Sequence, residues 1–274
     1  MDFSLARQRF YQAVRQPEAE INLAAVALYI AQEEYPDLEV DSYLNALDTM
    51  AAEVQERLPA EAYPLRIIGA INQYLYQDLG FAGNTVDYYN PRNSFLNEVI
   101  ERRIGIPITL SLVYLEIAQR IDFPMVGVGM PGHLLIRPTQ GEMAVYIDAF
   151  EKGEILFSQD CQDRLAQLYG HPMEMLPQFI QPVSSHQFLV RLLTNLKHIY
   201  LSQSQWSKSL AAVERILIID PNAVGELRDR GILYYQLGRW PEACQDLETY
   251  LAHRPALEDI GPIRQLLNRM GRKV

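Results

Sequence analysis

The sequence predicts a mostly helical α+β chain, and three observations carry that reading. Apolar residues recur at three- and four-residue spacing through residues 1–80, the mark of helices with one buried face. After one helix that is apolar nearly all round, the texture switches to four short apolar runs split by turn residues, as in a small antiparallel sheet. Beyond residue 187 helical spacing returns, now with a repeat. The expected parts are a helical part of the core over 1–84, a second part of the core with helix and sheet over 85–180, and an all-α repeat segment over 188–274. The second holds a buried helix at 107–119 and strands at about 125–157.

The first stretch reads as four helices. Their faces are Phe3, Ala6, Phe10, Ala13 and Val14; then Ile21, Ala24, Ala25, Leu28 and Ala31. Tyr43, Leu44, Leu47, Met50, Ala51 and Val54 form the third face, and Leu65, Ile68, Ile71, Leu75 and Leu79 the fourth. Pro17, Pro36, Pro59 and Pro64 separate them. Gly80 to Gly83 ends the fourth, and Asn93 or Ser94 is a candidate cap for a helix carrying Phe95, Leu96, Val99 and Ile100. Pro107 suits the first position of the helix Pro107-Ile-Thr-Leu-Ser-Leu-Val-Tyr-Leu-Glu-Ile-Ala-Gln119, because its missing N–H is not needed there. The strands come next as Met125–Met130, His133–Arg137, Met143–Asp148 and Glu154–Phe157, and Ser158 would cap a helix that Gly170 ends. Pro172, Pro177 and Pro182 mark residues 171–187 as the boundary segment.

The last segment repeats at 34 residues. Tyr200 recurs as Tyr234, Trp206 as Trp240, Leu217 as Leu251 and Pro221 as Pro255. That is the tetratricopeptide (TPR) period, two antiparallel helices per unit. Lys197 stands where the second copy has Gly231. Two repeats are too few for a free-standing array, so packing against the core and a capping helix with Ile263, Leu266, Leu267 and Met270 are expected. Trp206 and Trp240 are expected in the repeat core.

Composition narrows the function. A net charge of −10 disfavours nucleic acid; Arg264, Arg269, Arg272 and Lys273 form the one basic run, which suits a solvated helix end. Two distant cysteines, Cys161 and Cys244, fit a reducing compartment, and five scattered histidines give no metal-ligand spacing. The N-terminus has no apolar signal core and no run is long enough to span a bilayer, so a cytoplasmic protein is expected. No cofactor and no metal are implied.

The chemical clue is a hairpin. With Thr139–Glu142 as its loop, paired positions sum to 281, so that His133 faces Asp148. Directly opposed residues have Cβ atoms roughly 4.5–5.5 Å apart, close enough for imidazole and carboxylate to bond. A carboxylate in that place fixes the tautomer of a general base. A histidine satisfied by a neighbouring carboxylate for structural reasons fits the same spacing.

Two blocks resemble the SirB-type transglutaminase-like family of bacteria. They are Asn93-Ser-Phe-Leu-Asn-Glu-Val-Ile-Glu-Arg-Arg-Ile-Gly-Ile-Pro-Ile-Thr-Leu-Ser-Leu-Val-Tyr114 and Val126-Gly-Val-Gly-Met-Pro-Gly-His-Leu-Leu-Ile-Arg137. Tyr146-Ile-Asp-Ala-Phe150 followed by Gly153 fits too, and a TPR tail is a common companion in that family. The resemblance implies a papain/transglutaminase-like core. His133 and Asp148 would match the family's histidine and aspartate. The family's cysteine position would fall on Pro107, which has no nucleophile. Ser111, one turn on and on the same face, is the remaining nucleophile candidate. Asn93, Asn97, Pro107 and Thr109 are candidates to line a binding groove.

The leading expectation is therefore a non-catalytic peptide- or protein-binding scaffold with a TPR contact surface. Two alternatives stay open. One is a hydrolase or acyltransferase using His133 and Asp148 with Ser111 or Thr109. The other is a purely structural TPR platform.

Overall fold

The computed structural model describes residues 4–139, 144–174, 176–253 and 256–272. Packing divides the chain into two compact units, Met1–Phe188 and Leu189–Val274.

The first unit opens with α1 (Leu5–Ala13), α2 (Leu23–Ala31) and α3 (Val40–Glu56). Phe3 of the first expected face lies outside the described residues. Ser4 and Asn22 cap the first two helices through their side-chain oxygens. A second acceptor reaches α2 from far along the chain: Glu116 takes the Ala24 N–H at 3.1 Å. Pro64 begins α4 (Pro64–Asn72), but the expected single helix to Leu79 changes phase at Gln73. Residues Gln73–Asp78 form a π turn that buries the consecutive residues Tyr74, Leu75 and Tyr76. Three adjacent inward side chains cannot share one narrow α-helical stripe, and the wider turn resolves the conflict.

β1 (Ala82–Gly83) pairs in parallel with β2 (Ile104–Gly105), which comes after α5 (Leu96–Arg102). The expected cap of α5 by Asn93 or Ser94 is not what forms. Both lie in a buried 3-10 turn, Pro91–Ser94, and Phe95 occupies the cap position without a side-chain bond. α6 (Pro107–Arg120) is buried from Ile108 to Tyr114 and packs against α2, α3, α4 and α5.

The sheet runs β3 (Met125–Val128), β4 (Leu135–Pro138), β5 (Val145–Asp148) and β6 (Glu154–Phe157) as an antiparallel meander in sequence order. α6 also packs on β3 and β4, so it lies under the sheet. The hairpin register differs from expectation. Ile136 pairs with Ile147, a sum of 283 in place of 281. Most of the loop that fixed the expected register, 140–142, is outside the described residues. A slip of two keeps every side chain on its face, so only the partners change.

α7 (Ser158–Tyr169) returns along the sheet, and Gly170 ends it at φ 73°. Its N-terminal bond comes from Asp160, which accepts the Phe157 N–H at 2.8 Å, rather than from Ser158. Val128, Leu135, Tyr146, Leu156, Cys161 and Leu165 close the core between sheet and helix.

The second unit holds most of α8 (Ser185–Ser202), then α9 (Trp206–Ile219), α10 (Val224–Gln236), α11 (Trp240–Ala252) and α12 (Leu257–Arg269). Gly231 leaves room for α11 against α10: a Cβ there would sit 2.7 Å from the Leu247 side chain. Its counterpart Lys197 is buried instead, with Nζ 2.6 Å from Glu226 and 3.0 Å from Asp229 on α10. Ile263 and Leu267 bury α12 against Cys244, Leu247 and Tyr250, with Leu266 and Met270 alongside. Trp206 is packed into the repeat core, but Trp240 is 52% exposed because it stands on the outer side of the first turn of α11. Pro255 and Lys273 lie outside the described residues.

Candidate functional site

Asp148, the last residue of β5, is the centre of the site. Its carboxylate is buried and has three close donors. Oδ1 accepts the backbone N–H groups of Phe150 at 3.0 Å and Glu151 at 3.2 Å, which folds the chain tightly after the strand. Oδ2 takes Arg164 Nη1 at 2.5 Å. The other arm of Arg164 reaches Glu154 at 2.6 Å, so the guanidinium ties α7 to the ends of β5 and β6.

His133 sits before β4, in a turn closed by its own N–H to Met130 O at 3.0 Å. With the register at 283 it is diagonal to Asp148 on the same face, not opposite. Its Nδ1 lies 3.8 Å from Asp148 Oδ2, beyond hydrogen-bond length, and its side chain is 37% exposed. The expected pair is thus adjacent, with the carboxylate bonded to arginine rather than to imidazole. Sequence reasoning passed over Arg164. The available signal was that it is the sole basic residue of α7, one turn from the buried Cys161 and next to the buried Leu165.

The loop that carries Asp148 onward is held from below. Tyr76 donates to Ala149 O at 3.0 Å, and Asn72 donates to Gly153 O at 2.7 Å while accepting from Tyr114 at 3.0 Å. Gly153 has φ 74°, and a Cβ there would fall 2.1 Å from Asn72 Oδ1. Burial, and then the Asp148 charge, push the Tyr76 phenol far above its usual range, so it stays a donor.

The start of α6 is where a nucleophile would stand. Pro107 is there, half-buried, with no reactive group. Thr109 Oγ1 accepts the Ile106 N–H at 3.1 Å and donates to Asn93 O at 2.7 Å. Ser111 is fully buried, and its Oγ has no hydrogen-bond partner among the described residues, so no bond joins it to His133. Burial pushes the Cys161 thiol up to about 11, which keeps it protonated in the core.

The groove candidates are placed mostly inside. Asn93, Asn97 and Thr109 are buried. Asn93 is a staple: its Nδ2 donates to Asp87 O at 2.7 Å and Tyr88 O at 3.2 Å, and its Oδ1 accepts from Asn84 at 3.1 Å. The open surface lies elsewhere. A cavity of about 530 Å3 is lined by His133, Glu151, Glu154, Arg164, Gln167 and Leu168. Among the described residues no group of three or more His, Cys, Asp or Glu side chains is placed to hold a metal ion, and no helix is long and apolar enough to cross a membrane.

Chemically, the arrangement presents an imidazole and anchored charges at an open cavity. A general base works when its partner carboxylate orients it and a nucleophile lies within reach. Here the carboxylate's close contacts go to Arg164 and two amides, and the Ser111 hydroxyl on α6 bonds neither the carboxylate nor the imidazole.

Comparison with known proteins agrees with this organisation. A family model described as the transglutaminase-like superfamily matches residues 41–194, and one described as tetratricopeptide repeat matches residues 196–268. A UPF0162 protein of Xylella fastidiosa (strain 9a5c) is 37% identical over 250 residues, covering 88% of this chain and 87% of that protein. F-box only protein 21 of Homo sapiens is 34% identical over 194 residues, covering 65% of this chain and 29% of its own. Among solved structures, a crystal structure of menin, described as revealing its binding site for the Mixed Lineage Leukemia protein, aligns with a TM-score of 0.41 and 10% identity. It covers 88% of this chain and 68% of menin, and at that level nothing is carried over from it.

Proposed function

We propose that this chain, which belongs to the SirB-type transglutaminase-like family with C-terminal TPR repeats, is a non-catalytic module that binds a peptide or protein segment at the His133 cavity. The observation that carries the reading is the occupation of Asp148. Its carboxylate is held by Arg164 at 2.5 Å and by two backbone amides, while the imidazole lies 3.8 Å off. Pro107 at the helix start and the unbonded, buried Ser111 support the same conclusion. TPR repeats generally mediate contacts between proteins, and the second unit would add a further contact surface.

The reading is tested by selecting ligands from a random-peptide display library and mapping them by amide chemical shifts. Selected peptides are expected to move Phe150, Glu151 and Gln167, with no turnover of amide or ester substrates. Turnover that disappears in Ser111→Ala would instead establish the acyl-transfer alternative, with His133 as base. Peptides that shift only residues of the second unit would favour the TPR platform.

A further inference from the structure

Two features beside Asp148 play no part in the case for a non-catalytic site. One is a loop at residues 84–90 that holds apolar side chains in water. Val86 is 97% exposed and Tyr89 67% exposed, yet the loop is tightly bonded. Asp87 N–H donates to Asn84 Oδ1 at 2.8 Å, Asn90 Nδ2 to Asp87 Oδ2 at 2.9 Å, and the buried Asn93 holds the Asp87 and Tyr88 carbonyls from beneath. A rigid loop that spends its hydrogen bonds on presenting tyrosines to solvent has the character of an interface anchor. Tyr88 packs edge-on against Tyr89 at 5.3 Å and against Phe150 at 6.2 Å. Phe150 is the chain neighbour of Glu151, which lines the cavity, so the aromatic ledge begins one residue from the cavity wall.

The second feature is the cavity's charge. Its wall carries the carboxylates of Glu151 and Glu154, the His133 imidazole and one guanidinium, Arg164, whose two arms are already bonded to Asp148 and Glu154. Glu151 is exposed. Lys152, the nearest further cation in the chain, does not line the cavity. On the far side Leu168, 53% exposed, adds apolar surface above Gly132.

From this juxtaposition we infer that the partner is an extended peptide segment with one basic side chain flanked by apolar residues. The ammonium or guanidinium enters the cavity beside Glu151 and Glu154. The flanking residues lie on the Tyr88–Tyr89–Phe150 ledge and on Leu168. This rests on the peptide-binding reading and names the chemistry of its ligand. With Arg164 held by Asp148 and Glu154, the exposed Glu151 leaves the wall acidic, which favours a cation in the ligand and rejects an anion.

The test uses the full chain and three acetylated, amidated pentapeptides of sequence Gly-Phe-X-Leu-Gly, with X lysine, norleucine or glutamate. Binding is monitored by the Phe150 and Glu151 amide shifts. The lysine peptide is expected to bind about tenfold more tightly than the glutamate one, with norleucine between them. Glu151→Gln should reduce that preference by about fivefold, the scale of one partly exposed ion pair. Tyr89→Ser should weaken all three alike, since it removes apolar contact and no charge. Equal or tighter binding of the glutamate peptide would overturn the basic-ligand inference and leave peptide binding standing. If none of the three moves those amides, the inference falls. The broader reading then falls only if display-selected peptides also leave them unmoved.

Discussion

Replacing Asp148 with asparagine should show which neighbour the carboxylate serves. The amide oxygen can still accept the Phe150 and Glu151 N–H groups. The other oxygen becomes an NH2 facing Arg164 Nη1, donor against donor, where a 2.5 Å charged bond had been. Breaking a buried ion pair costs about 3–5 kcal/mol when the stranded charge has no other partner. Arg164 is 18% exposed and keeps Glu154, so the cost should fall to about 2–3 kcal/mol, the scale of one charged hydrogen bond. In a unit of this size that lowers the melting temperature by about 5–10 °C, measurable by scanning calorimetry. Faster amide exchange at Phe150 and Glu151 would report the same loosening locally. Arg164→Met should cost a similar amount, and the double variant should cost at least about 1 kcal/mol less than the sum. His133→Ala should cost clearly less than Asp148→Asn, because its ring is partly exposed and stands 3.8 Å from a carboxylate that Arg164 holds at 2.5 Å. If His133→Ala destabilises as much as Asp148→Asn while Arg164→Met is silent, the carboxylate belongs to the imidazole and the argument for a non-catalytic site is wrong.

The same geometry gives three other expected outcomes. Cys161 has its thiol raised to about 11 from a usual value near 9, so the native state holds a proton that the unfolded chain releases first. That contribution to stability should be whole below about pH 9 and lost by about pH 11, seen as a falling urea midpoint that Cys161→Ala flattens. Lys197→Met takes the buried ammonium from Glu226 and leaves Asp229 with Arg228 alone, and should cost about 1–3 kcal/mol. Tryptophan fluorescence will report on this variant, since both tryptophans, Trp206 and Trp240, lie in the second unit. Gly153→Ala combines left-handed backbone strain with a collision at 2.1 Å, and should cost about 2–4 kcal/mol by chemical unfolding; with Asn72→Ala already present the added cost should shrink.

The repeat and the buried helix were readable because both rest on spacing alone. A 34-residue period survives any local detail, and an all-apolar helix such as 107–119 has nowhere to go but inside. The hairpin was readable in its strands and its faces, but not in its partners. Period-two alternation fixes which side of the sheet His133 and Asp148 occupy and is blind to a shift of two. Asn93 illustrates a second limit. An asparagine before a helix looks like a cap, and only the fold shows that its amide is spent on the carbonyls of Asp87 and Tyr88. Arg164 illustrates a third: its bond to Asp148 joins residues sixteen apart on different elements, a contact no local pattern announces.

The π turn at Gln73–Asp78 has a consequence for anyone altering that helix. It acts as a phase insert. Deleting a single residue there would let the helix relax to ordinary winding with its two halves still in phase, because six residues of π winding turn through about as much as five of α winding. Asn72, just before the insert, and Tyr76, within it, brace the two ends of one short loop at Gly153 and Ala149. Such a deletion would leave the flanking faces in register, whereas the same deletion within α4 would turn the start of that helix by about 100° relative to the residues that brace the loop.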